Sequence, residues 1–155
     1  MNATERGELA RQIFLEGYNC AQSVVRSFSD VLEEPGVDPQ VAVAMASPFG
    51  GGMGRLREVC GTYSAMLLVL GLVEGYDEPK AFEKKKELYR QVQELAATFR
   101  DENGSIICRE PLGLGAGPSD PTPEQRTDSY YRKRPCPELC ASAARILAGH
   151  LETLH

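Results

Sequence analysis

The chain has 155 residues, a length that predicts one domain able to bury a core without disulfides or a bound metal. Hydrophobic residues make up 42% and charged residues 25%, which excludes a disordered tail, collagen and a coiled-coil rod. Aromatic residues make up only 7%, Trp is absent and the net charge is −5, so we do not expect a nucleic-acid-binding protein.

The chain shows no sign of a targeting or membrane segment. Its first residues carry charges where a signal peptide needs an apolar run. The uncharged stretch 59–73 has 15 residues, fewer than the ~20 that span a bilayer. We therefore expect a cytoplasmic protein with no membrane contact. Stable disulfides are rare in that compartment, so its cysteines favour catalysis, redox chemistry or metal binding. There are five of them: Cys20, Cys60, Cys108, Cys136 and Cys140.

Apolar spacing and capping residues predict helices in the first third of the chain. Residues 4–16 place apolar side chains on one face. Asn19 with Gln22 three residues later is typical of a capping box. Two further helices are expected: from Asn19 to about Leu32, and from Asp38 to the residue before Pro48.

The middle of the chain contains its most apolar and its most amphipathic segments. After the glycine block 49–54, a helix over about 55–72 is apolar on nearly every side, which is typical of a buried central helix. The amphipathic helix is expected over about 79–99, with Phe82 and Tyr89 in its apolar stripe.

The last third is interrupted by glycine and proline. The expected elements are a short helical turn at 105–110, a loop at 113–123, a helix opened by a capping box at 122–125 and broken at 132–135, and a last helix over 136–151. No run of alternating β-branched residues is long enough for a strand. We predict one all-α domain over residues 1–155, a bundle of about six to seven helices around the central helix.

Three of the five cysteines lie near predicted helix N-termini, where the partial positive charge favours thiolate. They are Cys20, Cys60 and Cys136. Basic side chains add to this effect: Arg55 and Arg57 near Cys60, and Arg132, Lys133 and Arg134 near Cys136. We expect at least one of these three thiols to have a pKa below the ordinary value of about 8.5, and Cys60 is the first choice.

The spacing of the cysteines excludes the common local motifs. No C-x-x-C is present, so zinc ribbons and thioredoxin-like motifs have no support. Cys136 and Cys140 are four residues apart on one helix, and that separation is too wide for an unstrained disulfide. His150 and His155 are not expected to be ligands or catalytic partners. We expect Cys20, Cys60, Cys108 and Cys136 to cluster in the fold although they are far apart in the sequence.

The glycine block has two interpretations. It lacks the Lys-Ser/Thr of a phosphate-binding loop, but consecutive backbone N–H groups at a helix start bind anions. Gly50, Gly51, Gly52 and Gly54 are therefore candidates for close approach to an anion, a cofactor or a thiol. The alternative is a tight turn that lets the central helix pack closely. In both cases at least one of these glycines should have φ > 0.

Several motifs together resemble the redox-active protein family named C_GCAxxG_C_C for its cysteines. They are residues 17–22, 49–54, 58–61 and 69–72, followed by Cys108 and by Cys136 with the small residues behind it. Cys140 is an additional cysteine, and residues 61–65 depart from the family's pattern of Ala and Gly. The resemblance implies thiol redox activity and supplies no substrate.

Three functions remain open from the sequence. The first is a cytoplasmic thiol redox protein, in which Cys20, Cys60, Cys108 and Cys136 exchange dithiol and disulfide or pass electrons to a partner protein or small thiol, with no cofactor. The second is a metal-binding protein, in which the same four cysteines hold zinc or an iron–sulfur cluster. The third is a non-catalytic helical module with cysteines in its core. A monomer or a homodimer fits each of them.

Overall fold

Eight α-helices account for most of the chain in a computed structural model that describes residues 1–154. They are α1 (Ala3–Leu15), α2 (Cys20–Arg26), α3 (Ser29–Glu33), α4 (Pro39–Ala46), α5 (Gly61–Glu74), α6 (Phe82–Asn103), α7 (Asp128–Lys133) and α8 (Cys136–Thr153). A 3-10 turn, Ser47–Phe49, and one further turn, Gly50–Met53, lie between α4 and α5. The all-α fold class is confirmed.

Local capping signals fix several helix starts. The Asn19 side chain accepts a hydrogen bond from the N–H of Gln22, and Oε1 of Gln22 accepts one from the N–H of Asn19, so the predicted capping box is present. Asp38 caps α4 with Pro39 in the first turn, as expected. Gly104 ends α6 in the left-handed conformation.

Helix α5 is the buried centre of the fold. Met66, Val69 and Leu70 are fully buried, and α5 packs against α2 and α8. The apolar faces of α1 and α8 pack along each other, and α2 also contacts α4 and α8. This core holds the N-termini of α2 and α8 beside the start of α5. The predicted burial of the central helix is confirmed, although its bounds differ.

The central helix begins at Gly61, six residues later than expected. Arg55 and Arg57 have φ values of 69° and 62°, which a right-handed helix does not allow. Val59 instead forms an antiparallel β-bridge with Ile107. That bridge also replaces the helical turn expected at 105–110. Just before the bridge, the Ser105 hydroxyl accepts a hydrogen bond from the N–H of Ile107.

The segment expected as one helix to Leu32 consists of α2 and α3, which are separated at Phe28. Its φ and ψ of −108° and 22° leave the helical region. The hydroxyls of Ser27 and Ser29 bond to carbonyls three residues earlier, and such local hydrogen bonds compete with the helix.

The helix expected to open at Thr122 begins at Asp128 instead, with Thr127 as its cap. The Asp120 carboxylate accepts the N–H of Thr122 and forms a turn there. The Arg126 side chain then donates to main-chain carbonyls at the end of α1 and just after it, which holds residues 121–127 as a loop.

The long helix α6 carries a narrower apolar stripe than expected. Phe82 and Tyr89 are 70% and 55% exposed, so they lie outside the core. Gln91, which apolar spacing does not select, is buried and contacts Nε2 of His150 at 2.8 Å. Within residues 1–154, no helix combines the length and apolar character that crossing a membrane requires.

Candidate functional site

Two cysteines begin helices on one side of a cavity. Cys20 is the first residue of α2, directly after the Asn19 cap, and Cys136 is the first residue of α8, directly after Pro135. Because α2 and α8 pack together, their N-termini bring these two cysteines to the same place. We call this side the helical wall.

The opposite side is formed by the Val59–Ile107 bridge, and we call it the loop wall. The N–H of Cys60 donates to the carbonyl of Ile106, and the N–H of Cys108 donates to the carbonyl of Glu58, each at 2.6 Å. Side chains alternate along extended chain, so Cys60 and Cys108 lie on one face of this bridge and Val59 and Ile107 on the other. This pairing explains how two cysteines with 47 residues between them in the sequence reach one cavity.

The glycine block packs against the loop wall, and three of its glycines have left-handed backbone conformations. Gly51, Gly52 and Gly54 have φ values of 71°, 67° and 60°, which confirms the expected positive φ. A Cβ placed on Gly52 would lie 2.6 Å from the Cβ of Cys108. The block thus lies against Cys108, and a backbone hydrogen bond from Gly51 reaches the thiol of Cys20.

The four cysteines of the helical and loop walls line one cavity of about 280 Å³. They are Cys20, Cys60, Cys108 and Cys136, so the predicted clustering is found. Cys140 does not line this cavity; its sulfur lies 3.7 Å from the carbonyl oxygen of Cys20. All five cysteines are free thiols.

Gly61 brings the two walls closest together. A Cβ on Gly61 would lie 2.6 Å from the sulfur of Cys20 and 2.7 Å from the carbonyl oxygen of Phe49. Only glycine leaves room there, and Gly61 directly follows Cys60. The sulfur of Cys20 therefore packs on the start of α5 beside Cys60.

The expectation of a lowered thiol pKa at a helix N-terminus is wrong for the three cysteines named. Burial raises the pKa of Cys136 to about 11, and burial is also the largest cause that raises the pKa of Cys20 and of Cys60. Backbone hydrogen bonds from Gly51 to Cys20, and from Thr62 and Tyr63 to Cys60, oppose the rise without cancelling it. Desolvation outweighs the helix N-terminus at these sites.

Neighbouring thiols act in the same direction as burial. Charge repulsion from Cys60 and Cys136 raises the pKa of Cys20 further, and Cys60 and Cys108 do the same for Cys136. Burial also raises the pKa of Cys140. Cys20, Cys60 and Cys136 are consequently held in their neutral form at pH 7.

Arginine side chains complete the cavity lining: Arg55, Arg57, Arg126 and Arg134. Nη1 of Arg57 lies 3.7 Å from the sulfur of Cys108, so one guanidinium directly contacts one thiol. Sequence analysis pointed to Arg55, Arg57 and Arg134 through their neighbouring cysteines. It missed Arg126, which lies ten residues before the nearest cysteine and carries no motif.

The metal-binding alternative has no support in the side-chain geometry. Among residues 1–154, no group of three or more His, Cys, Asp or Glu side chains is arranged to hold a metal ion. His150 contacts Gln91 away from the cavity. His155 lies outside the described residues.

Comparison with known proteins agrees with the cysteine arrangement. The family described as "Putative redox-active protein (C_GCAxxG_C_C)" matches residues 18–150 of the 155. The chain belongs to the C_GCAxxG_C_C family. The matched range contains all five cysteines and the glycine block. No curated protein and no solved structure matches the chain.

Proposed function

We propose that this C_GCAxxG_C_C protein is a thiol redox protein whose cavity cysteines exchange between dithiol and disulfide. One observation carries the proposal. Cys20, Cys60, Cys108 and Cys136 come from four separate segments, and all four line the same cavity. Cysteines that serve only as small apolar side chains fill a packed core, whereas these four line a cavity.

Cys20 and Cys60 are the proposed exchanging pair. The sulfur of Cys20 packs on Gly61, and of the neighbouring thiols Cys60 has the largest effect on the pKa of Cys20. Cys60 directly precedes the glycine on which the Cys20 sulfur packs, so a small movement would bring the two sulfurs together, whereas Cys136 and Cys140 are fixed four residues apart on α8. Cys108, in contact with Arg57, is proposed to act as the thiol that opens or passes on this disulfide.

Burial is consistent with a dithiol that reacts with a bound substrate and only slowly with oxidants in solvent. The raised pKa values of Cys20 and Cys60 keep both thiols protonated, so they react slowly with solvent oxidants. A disulfide carries no charge either, so burial is compatible with both the reduced and the oxidised form of the pair. The proposed cycle therefore belongs in a reducing compartment such as the cytoplasm, with a partner protein or a small thiol as the exchange partner.

Redox titration with mass spectrometry tests the proposal. The protein is equilibrated in dithiothreitol buffers of graded potential, free thiols are alkylated, and disulfide-linked peptides are identified. We expect a reversible two-electron transition that links Cys20 to Cys60. The Cys60→Ser variant should lose the transition, and the Cys140→Ala variant should keep it because Cys140 lies off the cavity.

Two results would overturn the proposal. One is a protein whose cavity thiols stay reduced in excess oxidised glutathione as well as in oxidised dithiothreitol. The other is anaerobically purified protein with visible absorbance and bound iron, which would favour the metal-binding hypothesis instead.

A further inference from the structure

The cysteine cavity has an excess of positive charge. Its lining contains four arginines and a single carboxylate, that of Glu124. Glu124 pairs with Arg134 and lies 3.9 Å from Nη2 of Arg55. Among residues 1–154, neither Arg57 nor Arg126 forms an ion pair with a carboxylate.

Arg57 is the most deeply placed of these cations, with 4% of its surface exposed. Its Nε donates to the hydroxyl of Ser119 at 2.9 Å, and its Nη1 contacts Cys108. Within the described chain its Nη2 forms no hydrogen bond, and it is not one of the fully buried unpaired polar atoms. A buried charge without a counter-charge is costly, so the site favours an anion beside Arg57.

Among residues 1–154, Arg126 has only uncharged partners. It donates to the carbonyls of Phe14 and Tyr18 at 3.0 and 2.8 Å, and its guanidinium lies 4.0 Å from the ring centroid of Phe14. These contacts hold the guanidinium in place at the cavity and leave its charge unneutralised. The thiols of Cys20 and Cys136 do not neutralise it either, because their raised pKa values keep them protonated.

We propose that the cavity binds a small disulfide, or the corresponding thiol, that carries a carboxylate. The carboxylate lies at Arg57 and Arg126, and the sulfurs reach Cys20 and Cys60. This inference rests on the proposed thiol redox function. The cavity of about 280 Å³ is slightly smaller than the ~300–1,000 Å³ of typical ligand pockets, so it fits a ligand of amino-acid to short-peptide size.

The exchange balances in two steps. One cavity thiol, as thiolate, attacks the ligand disulfide RS–SR; the S–S bond breaks, a mixed disulfide forms, and RS⁻ leaves and takes up the thiol proton. The second cavity thiol attacks the protein sulfur of the mixed disulfide, closes the protein disulfide and releases the second RSH. Two cysteines are oxidised and one disulfide is reduced to two thiols, and a dithiol reductant restores the protein.

Three disulfides of similar size and different charge test the inference on the reduced wild-type protein. They are 3,3′-dithiodipropionate (dianion), bis(2-hydroxyethyl) disulfide (neutral) and cystamine (dication). Each oxidation rate is divided by the rate of the same disulfide with dithiothreitol, which removes differences in intrinsic reactivity. We expect the dianion to be favoured over the dication at least about tenfold, equivalent to about 1.4 kcal/mol. Added salt should reduce this preference and leave the neutral rate unchanged.

A matched pair of variants tests whether Arg126 determines the preference for the dianion. Arg126→Gln should lower the preference for the dianion, whereas Arg132→Gln should not, because Arg132 is exposed and does not line the cavity. The salt dependence of the wild-type protein decides the question if Arg126→Gln does not fold. Equal normalised rates for the three disulfides would overturn this inference alone. No oxidation by any of them would overturn the proposed redox function as well.

Discussion

The two walls of the cavity hold their cysteines by different means. On the helical wall, Cys20 and Cys136 begin helices whose other turns are anchored in the core. On the loop wall, Cys60 and Cys108 depend on one β-bridge and on a left-handed glycine turn. The helical wall is thus stabilised by many apolar side chains, and the loop wall by a few backbone contacts with little room for change.

Substitution of Gly52 should show this sensitivity most strongly. Gly52→Ala would put a Cβ at φ 67°, 2.6 Å from the Cβ of Cys108 and 2.8 Å from the backbone nitrogen of Glu58. The left-handed conformation costs about 1–2 kcal/mol and the overpacking about 1–3 kcal/mol, so we expect a loss of roughly 2–5 kcal/mol in the free energy of unfolding. Urea denaturation of the reduced protein measures it.

Gly113 provides the control for backbone conformation alone. It has the same φ of 67°, and a Cβ there would meet nothing within 4 Å. Gly113→Ala should therefore cost only the conformational part, about 1–2 kcal/mol. Equal losses for the two variants would show that the loop wall is not tightly packed at Gly52.

Local signals were readable from the sequence, and long-range pairing was not. The capping box at Asn19 depends only on two residues three positions apart, and a run of consecutive glycines predicts positive φ. The late start of α5 depends on Ile107, which is distant in sequence from Val59. The clustering of the thiols was expected, but their burial was not, since it depends on how α2, α5 and α8 pack.

The contact between the walls at Gly61 is the second place to test. Gly61→Ala would push a methyl group against the sulfur of Cys20, at 2.6 Å, and against the carbonyl of Phe49. We expect a loss of about 1–3 kcal/mol in the free energy of unfolding. Gly71→Ala on the same helix is exposed with open space around it, and should be neutral or add up to about 1 kcal/mol through helix propensity. Thermal or urea unfolding of both reduced variants checks the contrast; a Gly61→Ala protein as stable as wild type would place Cys20 farther from α5.

The thiols of the helical wall should make the reduced protein less stable at high pH. The folded protein raises the pKa of Cys136 from 9.0 to about 11, whereas the unfolded chain keeps the ordinary value. Between these values the unfolded chain has released a proton that the folded protein retains, so the contribution of Cys136 to stability is complete below pH 9 and declines up to about pH 11. At pH 10 this loss is roughly 1 kcal/mol for Cys136, and the raised pKa values of Cys20 and Cys140 add to it.

Urea unfolding at pH 8 and at pH 10 in a phosphine reductant measures the decline, and Cys136→Ser should show a smaller one. If the wild-type protein and the variant declined equally, Cys136 would titrate alike in the folded and unfolded chains, and the helical wall would not bury its thiol.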